Sequence, residues 1–247
     1  MKQFVLLYFI FFNHAILASN NELLLKANNA LTKNEFQVAL DIYTQIEKSG
    51  FGGPGLYQNM ALAAVSLHND PKAILYLEKA LKYSPNEKSI TDNLQLIIKR
   101  NSEIDSPTSD IEIKTYLNKI VGIFGISVWV MLSLISLFSI GVLCFFNYPF
   151  RNIKNPFKVK ITGLVMAFFI CTASGYFRHG MIYNNTGIII TKENTILKLG
   201  PDDSSPEVTN LPSGTKVFYH DHINGWWQIS TGYGETGWIN AANGERI

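Results

Sequence analysis

The side chains able to do covalent or metal chemistry are few in this sequence and poorly placed for it. Cys144 and Cys171 both fall inside apolar runs, where cysteine acts as a small hydrophobic residue rather than as a nucleophile. His14, His68, His179, His220 and His222 stand at no spacing from a nucleophile or second base that would define hydrolytic chemistry. His220 and His222 alternate on one strand face around Asp221, but no third ligand follows at a metal-site spacing. Catalytic, cofactor and metal sites are therefore all expected to be absent, and the chain is not expected to be an enzyme. What remains is aromatic. Trp226, Trp227, Tyr233 and Trp238 form a cluster that either presents a stacking surface to a ligand or fills the core of a small barrel, and both alternatives stand at this stage.

The elements that hold these aromatics read as short strands. Beyond Tyr183, β-branched and aromatic runs (Gly187 to Thr191, Thr195 to Leu199, Thr215 to His220, Trp226 to Ser230, Glu235 to Ile239) are broken by turn residues, which predicts a small all-β barrel. Gly200-Pro201-Asp202-Asp203 and Pro212-Ser213-Gly214 supply the fixed or positive dihedrals of turns. Leu197 before Gly200-Pro201, Leu211 before Gly214, the Trp226-Trp227 pair, Gly234 and Gly237-Trp238 resemble the bacterial SH3-like domain over residues 183–247. That resemblance implies an extracytoplasmic module that contacts cell-wall glycan or peptide.

Residues 20–100 carry an internal repeat. Leu23, Ala27, Ala30, Leu31, Ala39, Leu40, Tyr43 and Ile46 recur 34 positions later as Tyr57, Ala61, Ala64, Val65, Ala73, Ile74, Leu77 and Ala80. Each unit reads as two apolar-periodic helices joined by a polar turn, with small residues where antiparallel helices approach. The alanines at these positions, with Pro85 closing the second unit, resemble the tetratricopeptide repeat, with Asn34 standing where that family turns on Gly. Two units leave an apolar face open, so residues 86–100, with Ile90, Leu94, Ile97 and Ile98, are expected to cap it. The first helices of such units line a concave, peptide-binding surface. Leu24, Asn28, Leu31, Gln58, Leu62 and Val65 are placed on it as candidate partner-binding residues, unless the cap covers the apolar ones.

Charge locates the rest. Only 16% of residues are charged, and the net charge of +2 excludes the clustered basic face of a nucleic-acid binder. Residues 1–19 have the order of a secretory signal peptide, or of an uncleaved anchor. No charge falls between Lys119 and Arg151, which predicts a first transmembrane helix over 120–146; Trp129 is too deep in it for an interfacial anchor unless the helix begins later. A second span is predicted over 161–177. The loop 147–160 carries Arg151, Lys154, Lys158 and Lys160 without an acidic residue, and the linker 101–116 carries Asp105, Asp110 and Glu112. Positive charge stays on the cytoplasmic side, so both flanking domains are expected outside the cytoplasmic (inner) membrane, with Arg178 a mild contrary signal.

A multidomain membrane protein is thus expected: an α-helical tetratricopeptide solenoid, a two-helix transmembrane hairpin and a small SH3-like barrel. This order, with Tyr57 to Leu96 running through Ala73-Ile74-Leu75 and Lys79-Ala80-Leu81, resembles the BatE family of the Bacteroides aerotolerance operon. The resemblance implies a non-enzymatic envelope scaffold or adaptor with a part in stress tolerance. Its partners would be envelope proteins, among them von Willebrand factor A-domain membrane proteins. The alternative is a peptidoglycan-binding anchor, or a regulator of a wall hydrolase, acting through the barrel.

Overall fold

The computed structural model describes residues 20–101, 119–146, 155–183 and 187–247. The expected signal segment 1–19 and most of the linker 101–116 lie outside the described residues. One unit of the fold joins the residues before the hairpin to those after it, and the hairpin is a second unit.

The first unit opens with helix α1 over 20–32, followed by α2 (Phe36–Lys48), α3 (Pro54–Ser66), α4 (Asp70–Tyr83) and α5 (Lys88–Arg100). These boundaries keep the sequence offset: α1 and α3, then α3 and α5, start 34 residues apart. The helix expected as a cap is thus in phase with the earlier first helices. Its buried Ile90, Leu94 and Ile97 stand where α3 buries Leu56, Met60 and Ala63. The small residues let the helices close: Ala27, Ala39, Ala64, Ala73 and Ala80 are buried around Tyr43, Ile46, Met60 and Ile74. Both intra-pair turns end in the left-handed region, at Asn34 (φ 62°) and His68 (φ 56°). The amide of the next residue reaches back five positions, Glu35 N–H to Ala30 C=O and Asn69 N–H to Ala64 C=O, each at 2.9 Å. This closure satisfies carbonyls that the helix end would leave unpaired. Asn needs no Gly there because its short polar side chain tolerates this conformation.

The same unit contains a seven-stranded antiparallel sheet of strand order β3-β2-β6-β5-β4-β1-β7. The strands are β1 (Gly187–Ile190), β2 (Thr195–Lys198), β3 (Glu207–Leu211), β4 (Lys216–Ile223), β5 (Trp226–Ser230), β6 (Thr236–Asn240) and β7 (Gly244–Arg246). Its core is Ile188, Ile190, Leu197, Leu211, Val217, Ile229 and Ile239, with Tyr219 and Trp227 packed against it. Two strands escaped the sequence pattern. β3 is polar and largely exposed, and β7 has three residues and opens on Gly. The β4–β5 turn, unremarked in the sequence, is Asn224-Gly225 with φ 46° and 82°, the positive pair that a two-residue hairpin needs.

β1 has three consecutive isoleucines because both its faces are buried. Ile188 and Ile190 enter the barrel core, whereas Ile189, with Ile247, joins the helical core. Around this contact Lys72 of α4 pairs with Glu245, Glu78 with Lys216 at 2.8 Å, and Lys82 Nζ donates to the Ile247 carbonyl at 3.0 Å.

In the second unit, α6 (Ile126–Phe146) and α7 (Asn155–Tyr183) pack on each other. Ser136 Oγ donates to Leu164 C=O across the pair at 2.7 Å. Both helices are long and apolar enough to cross a membrane, and only 11% and 6% of their apolar windows are buried, unlike the core helices of a globular domain. Four expected boundaries shift. The first helix starts at Ile126, not 120, after a break at residues 122–125 that contains Gly122 and Gly125. Trp129 therefore sits in its first turn, its indole N–H bonded to Val121 C=O at 3.0 Å. The second helix starts at Asn155, with Pro156 in the first turn where its missing N–H is harmless, so Lys158 and Lys160 are helical rather than loop residues. It continues past Phe177 to Tyr183, so Arg178 lies within it and is buried, and the barrel begins at Gly187 and not at 183. Arg151 and Lys154 of the expected loop lie outside the described residues.

Candidate functional site

Adjacent residues of a strand point to opposite faces, so Trp226 and Trp227 cannot share a surface. In β5, Trp227 pairs with Ile239 and Gln228 with Trp238. Trp227 therefore belongs to the core side. It meets Tyr219 edge-on at 6.3 Å, and the Arg246 guanidinium covers both rings, 4.0 Å from the Tyr219 centroid and 5.3 Å from that of Trp227. Trp226 and Trp238 take the outer face. Lys198 is directly opposite Trp238 in the register, and its ammonium lies 5.9 Å from the Trp226 ring centroid. Tyr233, on the β5–β6 turn, is 63% exposed. Of the four aromatics named from sequence, the fold thus places two on one face, turns one inward and leaves one on a loop.

Beside Trp226 runs an open groove of about 360 Å³, lined by Lys192, Asn194, Lys198, Asp203, Asn240 and Asn243 among others. Its wall is fixed locally. The Asp202 carboxylate accepts from Ser204 N–H at 2.9 Å and from the Ser204 and Ser205 hydroxyls at 2.7 and 2.6 Å. The Ser205 bond first, then Ser204, hold its carboxyl below the usual carboxylate range. Lys198 Nζ donates to Asp203 C=O, joining two residues of the groove lining. Asn240 Oδ1 accepts from Ala242 N–H at 2.9 Å. An indole face, amide groups and lysine ammoniums in one shallow trough can stack on a sugar ring or hold a short peptide backbone. The flanking asparagines come from two distant stretches, Asn194 before β2 and Asn240 and Asn243 at and after the end of β6, which no local spacing links and only the sheet brings together.

The histidine pair is occupied otherwise. His220 Nε2 is 2.8 Å from Ser230 Oγ and His222 Nδ1 is 3.1 Å from the Tyr219 hydroxyl. Among the described residues no His, Cys, Asp and Glu cluster could hold a metal ion.

The candidate surface on the helices divides similarly. Leu24, Leu31 and Val65 are half-buried against the helical core, and Gln58 is half-buried. Asn28 is tied inward, its Oδ1 accepting from the Tyr43 hydroxyl at 2.7 Å and from Asn59 Nδ2 at 3.1 Å. Leu62 remains, 52% exposed, and Leu96, 34 residues on in α5, is 65% exposed. Leu96 lies in the segment whose apolar pattern reads as a cap, so that pattern alone does not single it out. The signal for it is the 34-residue period, which one further step carries from Leu62 to Leu96.

No curated protein matches the chain. Residues 193–245, which supply most strands of the barrel and the groove beside Trp226, match the bacterial SH3 domain.

Proposed function

We propose that this chain is a non-enzymatic envelope protein, held in the cytoplasmic membrane by its two apolar helices, whose barrel binds peptidoglycan outside the cell membrane. The groove beside Trp226 carries this reading: an aromatic platform under a lysine, edged by asparagines, within a domain type that commonly binds the wall. The test is co-sedimentation of the detergent-solubilised full chain with purified peptidoglycan. Trp226→Ala should weaken binding about tenfold or more, the loss of an aromatic anchor worth about 2 kcal/mol. Lys198→Ala should weaken it less. A Trp226→Ala variant that keeps its fold and binds like the parent would remove the groove from consideration.

A second role is favoured by Leu62 and Leu96, exposed apolar residues at equivalent positions of successive first helices. Here the helical module is an adaptor for an envelope protein. By the likeness to aerotolerance-operon accessory proteins, that partner is a von Willebrand factor A-domain membrane protein. Leu62→Glu should leave the helical circular dichroism unchanged and lower recovery of such a partner in crosslinking from the membrane fraction. Equal recovery by variant and parent rejects this face.

A further inference from the structure

The helical module and the barrel are separated in the chain by the whole hairpin, yet two residues of the barrel, Ile189 and Ile247, belong to the helical core. The contact is built rather than incidental. Ile189, on the outer face of β1, and Ile247 are both buried among the helices. Leu75 of α4 is fully buried. Gly187 leaves room for Ile247, since a Cβ there would stand 2.6 Å from Ile247 Cδ1, and Ile247 N–H donates back to Gly187 C=O at 2.9 Å. The polar edge is complementary: α4 offers Lys72, Glu78 and Lys82, and the barrel answers with Glu245, Lys216 and the Ile247 carbonyl. Glu78 and Lys216 oppose the other pair in sign, so sliding the barrel along α4 would put like charges together. Such an arrangement selects one register.

We infer that the α4 face is the docking surface for the chain's own barrel, so that residues 20–101 and 187–247 form one body on one side of the membrane. The consequence rests on the reading of α6 and α7 as membrane-spanning: a chain that must return to its own first module can cross only an even number of times. None of the interface residues Ile189, Lys216, Glu245 and Ile247 lines the groove beside Trp226, so wall binding and docking are compatible. A barrel held to the wall would therefore hold the helical module beside it in a fixed orientation.

The experiment uses the full chain in its native membrane, with Cys144→Ser and Cys171→Ser as background. Single cysteines at the exposed positions Leu62 and Tyr233 report sidedness to a membrane-impermeant maleimide. Lys72→Cys with Glu245→Cys reports docking through a short bis-maleimide. Both single cysteines should label in intact spheroplasts, and the pair should crosslink within one chain. Adding Glu78→Lys should lower the crosslink yield about fivefold, on the scale of a partly buried ion pair turned repulsive, and Glu78→Lys with Lys216→Glu should restore it. Labelling of only one reporter before lysis overturns the shared side. Labelling of both without a crosslink overturns docking, and a crosslink found only between two chains overturns docking within the chain. Release of the protein by alkaline carbonate would instead defeat the membrane reading, while the crosslink and its charge-swap rescue would still decide the docking.

Discussion

The helical module and the barrel bury their cores by opposite means. Between the helices about half of the fully enclosed side chains are alanines, interleaved with large residues such as Tyr43, Ile46 and Met60. In the barrel they are β-branched or leucine side chains meeting from the inner faces of a single curled sheet. The first core depends on nothing protruding, the second on nothing being absent. The two should therefore fail under opposite substitutions: enlargement in the helices, truncation in the barrel.

The largest effect is expected from truncating the barrel. Ile229→Ala, at a fully buried site, should cost about 2 to 5 kcal/mol through lost burial and the cavity left behind. Denaturant melts followed by tryptophan fluorescence will read it. Ile189→Ala makes the same chemical change on the other face of the barrel, at the residue packed among the helices. It should lower both the fluorescence transition and the helical circular dichroism transition, whereas Ile229→Ala moves the barrel first. If Ile189→Ala left the helical transition in place, the two cores would be independent.

The complementary test enlarges a small residue. Ala73→Leu, at a fully buried position of α4, should destabilise the helices by about 1 to 3 kcal/mol from overpacking. An unchanged or raised midpoint would mean that the alanine spacing is not what sets helix approach.

A smaller effect depends on pH. Burial, followed by the charges of Lys79 and Lys216, lowers Lys82 from its ordinary 10.5 to about 8. Between these values the unfolded chain binds a proton that the folded one does not, so this group makes stability rise as pH increases from about 8 toward 10.5. Below that window the lysine is charged in both states and its contribution is level. Lys82→Met should flatten this rise in melts between pH 8 and 9.5, ahead of the loss of the remaining lysine charges. A slope unchanged in Lys82→Met would assign the titration elsewhere.

What could be read in the sequence follows from how local each signal is. The alanine pattern repeats, so one unit predicts the boundaries of the next, and α5 falls in phase. Strands with a buried alternation were legible, but β3 (Glu-Val-Thr-Asn-Leu) presents mainly exposed positions and offers no pattern to find. By its pattern the run Ile188-Ile189-Ile190 reads simply as a strand. An uninterrupted apolar strand is buried on both faces, and in a sheet with no second layer of its own that already implied a covering partner. The Trp226-Trp227 pair had a similar lesson, since adjacency on a strand guarantees opposite faces. The groove asparagines and the α4 ion pairs depend on long-range contacts, and no spacing encodes those. In the hairpin, the break around Gly122 and Gly125 was hidden by apolarity on both sides, and a single charge at Arg178 was not enough to end a helix.

The smallest effect compares one backbone conformation in the two modules. His68 closes the second helical turn at φ 56°, and Asn224 opens the β4–β5 hairpin at φ 46°. A left-handed residue with a Cβ costs roughly 1 to 2 kcal/mol, and glycine there recovers this at an entropic cost of about 0.5 to 1 kcal/mol. Histidine is exposed here, and its left-handed conformation is the one in which the Asn69 N–H to Ala64 C=O bond closes the turn. His68→Gly should therefore stabilise the helical module by about 0.5 to 1 kcal/mol, the difference between these terms. Asparagine already tolerates the left-handed region and is favoured in two-residue hairpins, so Asn224→Gly should shift the barrel by less than about 0.5 kcal/mol in either direction. Paired thermal melts of the full chain, helices by circular dichroism and barrel by fluorescence, separate the two. A His68→Gly variant less stable than the parent would mean that the imidazole makes a compensating contact, and the turn would then be held by its side chain rather than by its backbone.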